Sequence, residues 1–259
     1  MCQGNTETYP GAHVEYSFHI VGVTFEPFSV PLSDPRFTEA RFIMREGVNP
    51  EDNNCTLMLF LGPVVSIEDA DQIADSIKDQ LLELFSLIVG CRVSRTRIVG
   101  HNLVPRPGEG GQIHGIFPVL RLRLSGHSEP RRLANDEIHS IEIAFSRIST
   151  FGEGSLLRIF RYAMDADDEI VKFLMLYLIL NLLRSLQREI DELIIAIAPG
   201  VDQTPDPRNP SVWETCYTRL RNEIMHRDVD HEATRQEISQ RVYEFTNIVR
   251  TAIRQEYHL

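Results

Sequence analysis

Apolar and polar residues alternate with a period of two through the first part of the chain and with a helical period through the rest. Val14, Tyr16, Phe18 and Ile20 are separated by polar partners, as are Leu120, Leu122 and Leu124 by Arg121 and Arg123. That is the pattern of strands with one buried face. Leu57 to Leu61 is apolar without a break, which predicts a central strand. One helix interrupts the strands. Ser66 can cap its first turn while Asp69 reaches back, Ile73, Ile77, Leu81, Leu84 and Ile88 recur on one side, and Gly90 offers a stop.

Beyond Phe151-Gly152-Glu153-Gly154 the period becomes helical. A short helix is predicted over Ser155 to Met164. A longer one follows from near Ile170 to about Leu193, with the acidic run Asp165 to Glu169 at its positive end. Pro199 to Pro210 holds four prolines and reads as a loop. Ser211 is placed as the cap or first turn of a helix running to about His226, and Ile238, Val242, Phe245, Val249 and Ile253 mark a last amphipathic helix. The pattern therefore predicts an α+β N-terminal domain over residues 1–150 and an all-α helical bundle over residues 151–259.

Composition narrows the function classes. The net charge of −11 is shared almost evenly by the two halves, so neither carries the basic excess of a non-specific nucleic-acid binder. DNA is not an expected partner, and RNA would need a local basic patch. Cys2, Cys55, Cys91 and Cys216 form no C-x-x-C pair and read as reduced thiols. The start has neither the basic nor the apolar region of a secretory signal, and the apolar run Phe173 to Leu183 is too short to span a bilayer. A cytoplasmic protein without a membrane partner is expected.

Candidate chemistry gathers late in the chain. On an ideal helix Trp213, Tyr217, Leu220 and Ile224 share one face and anchor it. Asn222 and His226 are neighbours on the opposite side with Arg219, and Arg221 lies at the edge of the core face. A His has the right ordinary pKa to move a proton, and an Arg can fork onto phosphate oxygens. An Arg and a His near a helix end also stabilise the dipole without any catalysis, and spacing alone favours that plainer role.

Other constellations carry less. The segment Pro105 to Gly111 has glycines but no Lys-Ser/Thr follow-up, and reads as a connection rather than a phosphate loop. His226, Asp228, Asp230 and His231 lie close in sequence, but such a short cluster at a helix-to-helix turn reads as solvated capping groups, so no metal or cofactor is expected.

The stretch Arg221-Asn222-Glu223-Ile224-Met225-His226, ahead of a final amphipathic helix, resembles the signature of the HEPN superfamily: an Arg, a polar residue directly after it, and a His four to six residues from the Arg. The longer run Glu214 to Glu223 looks like the methylamine-utilisation MauJ-like (Apea-like) branch. The resemblance covers roughly residues 151–259. It implies a homodimer and a metal-independent endoribonuclease of a stress or defence system, leaving 2′,3′-cyclic phosphate and 5′-hydroxyl ends. Arg221 would hold the phosphate, Asn222 would support the site, His226 would transfer a proton, and Arg219 is a further candidate phosphate contact. Other members are non-catalytic interaction modules, for which residues 1–150 would supply a protein partner surface.

Overall fold

The computed structural model describes residues 8–45, 54–106, 131–147, 155–207, 209–225 and 231–259. The chain divides into two compact units, residues 1–153 and 154–259. Among the described residues no helix is long and apolar enough to cross a membrane.

In the first unit, β1 (Ala12–Ile20), β2 (Val23–Thr24), β3 (Phe28–Val30), β4 (Phe37–Arg45) and β5 (Asn54–Leu61) precede α1 (Ile67–Val89), and β6 (Val93–Leu103), β7 (Arg131–Arg132) and α2 (Asn135–Ser146) follow it. Five strands form an antiparallel sheet in the order β3-β4-β5-β1-β6. The alternation read from β1 holds: Val14, Tyr16, Phe18 and Ile20 are fully buried. β5 is the central strand, as its apolar run predicts. Leu57, Leu59 and Leu61 enter the core, while Met58 and Phe60 are half-buried on the other face, where Arg41 lies 4.9 Å from the Phe60 ring centroid.

The start and stop of α1 follow from its caps. Ser66 Oγ accepts from Asp69 N–H at 3.1 Å, and Gly90 ends the helix in the left-handed conformation with φ 69°. Asp69 reaches back one residue further than a capping box requires, to the N–H of Val65 at 3.0 Å. The buried face of α1 brings Phe85 against Phe18 and Phe42 of the sheet, and Phe145 of α2 extends that cluster. The predicted strand at Leu120 to Leu124 and the glycines after Arg106 lie outside the described residues.

The second unit runs α3 (Ser155–Asp165), α4 (Glu169–Leu183), α5 (Gln187–Ile197), β8 (Gln203–Asp206), β9 (Asn209–Thr215), α6 (Cys216–Met225) and α7 (His231–Glu256). Asp168 caps α4 by accepting from the N–H groups of Ile170 and Val171, so the acidic run acts as the helix start it was read to be. All five residues assigned to the inner face of α7 are buried, and Phe245 among them packs tilted against Phe173 and stacks on Tyr217, with ring centroids 4.9 and 4.5 Å away.

Three expectations fail here. The unit is mixed, because Pro199 to Pro210 is not a loop but contributes to a β8–β9 hairpin with Gln203 opposite Thr215 and Pro205 opposite Trp213. Proline cannot donate to a ladder, yet each strand of a two-stranded ribbon has one unpaired side where no donor is needed. The helix predicted to start at Ser211 begins at Cys216, and Trp213 sits on β9, 58% exposed, instead of anchoring a helix. The long helix is broken at Arg184, whose backbone is extended, and α5 restarts where Glu189 accepts from the N–H of Leu186 at 3.3 Å.

Candidate functional site

α6 carries the candidate residues, and its start is fixed by a buried polar knot. Thr215 precedes the helix, and its Oγ1 accepts from Thr218 N–H at 3.3 Å. Asp191 of α5 gathers the donors around it: Oδ1 accepts from Thr215 N–H at 3.0 Å, Thr215 Oγ1 at 2.7 Å and Thr218 Oγ1 at 2.6 Å. Tyr177 of α4 adds a hydroxyl contact to Thr218 at 3.0 Å. Burial of the Tyr177 phenol outweighs its bond to Thr218 and pushes its pKa up to about 12, so it stays a neutral hydroxyl at physiological pH.

A second chain of contacts leads to Arg221. Glu214, 1% exposed, uses Oε2 to accept from Asn222 Nδ2 at 3.0 Å and from Gln187 Nε2 at 3.4 Å. Asn222 Oδ1 in turn accepts from Arg221 Nη1 at 2.8 Å, which fixes the amide in one orientation. The guanidinium carbon of Arg221 lies 5.3 Å from the centre of the Tyr177 ring. Burial raises the Glu214 pKa above the usual carboxylate range, reinforced by the nearby carboxylates of Asp206 and Asp191 and opposed by the Asn222 bond and Arg219.

The two arginines of α6 are placed differently. Arg219 reaches Glu223 at 2.5 Å with Nη1 and Glu237 at 2.6 Å with Nη2. Glu237 also binds Arg241, which extends to Asp202, so Arg219 belongs to a neutralised network. Among the described residues Arg221 forms no ion pair. It is half-buried and held by an amide and an aromatic face, which orients its charge without cancelling it.

The structure thus brings Arg221 and Asn222 together and ties Arg219 elsewhere. Tyr217 and Leu220 anchor α6 as expected, with Ile224 half-buried. His226, and with it the Asn222–His226 neighbourhood and the acidic and histidine cluster that follows, lies outside the described residues. Sequence reasoning missed Asp191, Tyr177, Thr215 and Thr218. The spacing Thr215-x-x-Thr218 ahead of an amphipathic stretch was the signal for the cap, but nothing local pointed to Asp191 or Tyr177.

No protein-family model, curated protein or solved structure matches this chain. Cys55, Cys91 and Cys216 are free and buried. Burial pushes Cys91 up to about 12 and Cys216 up to about 11, so these are protonated thiols and not nucleophiles. Among the described residues no group of three or more His, Cys, Asp or Glu side chains is placed to hold a metal ion. The arrangement offers an oriented guanidinium and amide, a kit for binding an oxyanion.

Proposed function

We propose that the protein is a HEPN-type, metal-independent endoribonuclease whose site lies at the C-terminal half of α6. Arg221 forks onto the non-bridging oxygens of the scissile phosphate, and Asn222 holds the guanidinium in position. His226 transfers a proton. In the reaction the 2′-oxygen attacks phosphorus as a base takes its proton, and the bond to the 5′-oxygen breaks as an acid protonates the leaving group. A 2′,3′-cyclic phosphate and a 5′-hydroxyl remain. Two such proton-transfer groups come from two copies of the chain, each giving one His226. One observation carries the reading: Arg221 is oriented by Asn222 and Tyr177 with no ion pair among the described residues, while Arg219, two positions away, is neutralised by two carboxylates. The test is incubation of wild-type and His226→Ala protein with RNA in EDTA, followed by analysis of the new ends. Cyclic-phosphate ends from the wild type alone are expected; intact RNA with both proteins overturns the assignment.

A non-catalytic dimerisation and interaction module is the second reading. It draws support from the apolar side chains Val171, Leu178 and Leu182 that α4 leaves exposed. It predicts no cleavage under any condition.

A further inference from the structure

α4 carries apolar residues on its exposed as well as its buried side. Phe173, Leu176, Tyr177, Ile179 and Leu180 are buried within the second unit, yet Val171, Leu178 and Leu182 are 48%, 46% and 53% exposed and Met175 is half-buried. At roughly 100° per residue these last four fall within about 60° of one another, a single stripe along the helix. Isolated exposed aliphatic residues are ordinary, but a continuous stripe on a helix whose other sides are already occupied marks a contact surface.

The order of the stripe suggests what covers it. Its spacing of four, three and four residues is symmetric about the point between Leu176 and Tyr177. Turned end for end, the stripe meets itself, with Val171 opposite Leu182 and Met175 opposite Leu178 of a second copy. The same reversal brings the acidic start of α4, where Asp167 and Asp168 are exposed, to the partner's Arg184, whose side chain is 40% exposed. A parallel pairing would set the two acidic starts against each other. The existing ties of these groups, Asp168 to Arg235 and Arg184 to Glu256 at 3.8 Å, are exposed pairs that exchange at little cost.

We infer that α4 is a self-association face, on which two copies of the chain pair antiparallel through Val171, Met175, Leu178 and Leu182. Such an isologous contact buries the same stripe on both copies. It extends the ribonuclease reading, which needs a second copy, but it stands on burial, spacing and charge alone, so its test reads assembly and not cleavage.

Sedimentation velocity of the full chain tests it, with circular dichroism as the control for folding. The wild type is expected to sediment as a dimer and Leu178→Glu as a folded monomer. Leu182→Glu, at the other end of the stripe, is the second variant should the first fail to fold. The double variant Met175→Lys/Leu178→Glu places opposite charges face to face only in the antiparallel register, and is expected to regain the dimer. A monomeric wild type, or a dimer that survives both single substitutions, overturns the proposal. A double variant that stays monomeric overturns the antiparallel register.

Discussion

At the start of α6 three donors converge on one oxygen of Asp191, whereas a turn later Arg221 extends a charge that no carboxylate among the described residues meets. The first arrangement is closed. Asp191, Thr215 and Thr218 are at most 5% exposed, and both threonine hydroxyls donate within the knot. The second is open in that Asn222, itself held by Glu214, and the Tyr177 ring hold the guanidinium while no carboxylate among the described residues pairs with it. The difference shows how a short helix can carry a site: one end is made rigid by buried hydrogen bonds so that the other presents a charge in a defined place.

The largest effect is expected where the closed end is broken. Asp191→Ala leaves three donors without their acceptor, two of them on side chains with no access to water. It should destabilise the second unit by about 3 kcal/mol or more in urea denaturation. A loss below about 1 kcal/mol would mean that α6 is held elsewhere.

Glu214 sharpens the comparison, because it belongs to the open end but is itself buried. Its pKa is raised in the folded state, so the folded chain keeps a proton that the unfolded chain has already released. Stability therefore falls as pH rises from the ordinary carboxylate value of 4.5 to the raised one, and stays lower above it. Glu214→Gln keeps an acceptor for Asn222 and removes the titration. Above the ordinary carboxylate value its urea midpoint should decline less with rising pH than that of the wild type. Parallel curves for the two proteins would contradict this.

Arg219→Met separates the two arginines. Glu223 retains Thr234 and Glu237 retains Arg241, so the expected cost is about 1 kcal/mol, with RNA cleavage preserved. Cleavage lost in this variant, with folding intact, would transfer the phosphate contact from Arg221 to Arg219. Smallest of all, Trp213→Ser should shift stability by no more than about 0.5 kcal/mol, because the ring is exposed on β9. A core-sized loss of about 3 kcal/mol would restore the anchoring role that a helix starting at Ser211 implied.

These contrasts also mark what the amino-acid pattern could reveal. Caps and periodic faces were legible: Ser66, Gly90, the acidic start of α4 and the inner face of α7 are each decided by neighbours three or four residues away. The hairpin was not, since the prolines that argue against strands are harmless at the open edges of a two-stranded ribbon. Of the candidate site, the adjacency of Arg221 and Asn222 could be read directly. Its supports could not, because Tyr177 and Asp191 reach α6 from 41 and 27 residues away through packing. The same distance hid the fate of Arg219: an ideal wheel placed it beside Asn222, while Glu237 on α7 claims it.

The central claim, that the oriented Arg221 serves an RNA phosphate, is tested most directly by Arg221→Ala. Cleavage of RNA in EDTA is measured for this variant beside the wild type and Arg219→Met, with thermal denaturation to confirm that each is folded. Cyclic-phosphate ends from the wild type and Arg219→Met but none from folded Arg221→Ala is the predicted result; equal cleavage by all three, or by none, would contradict it.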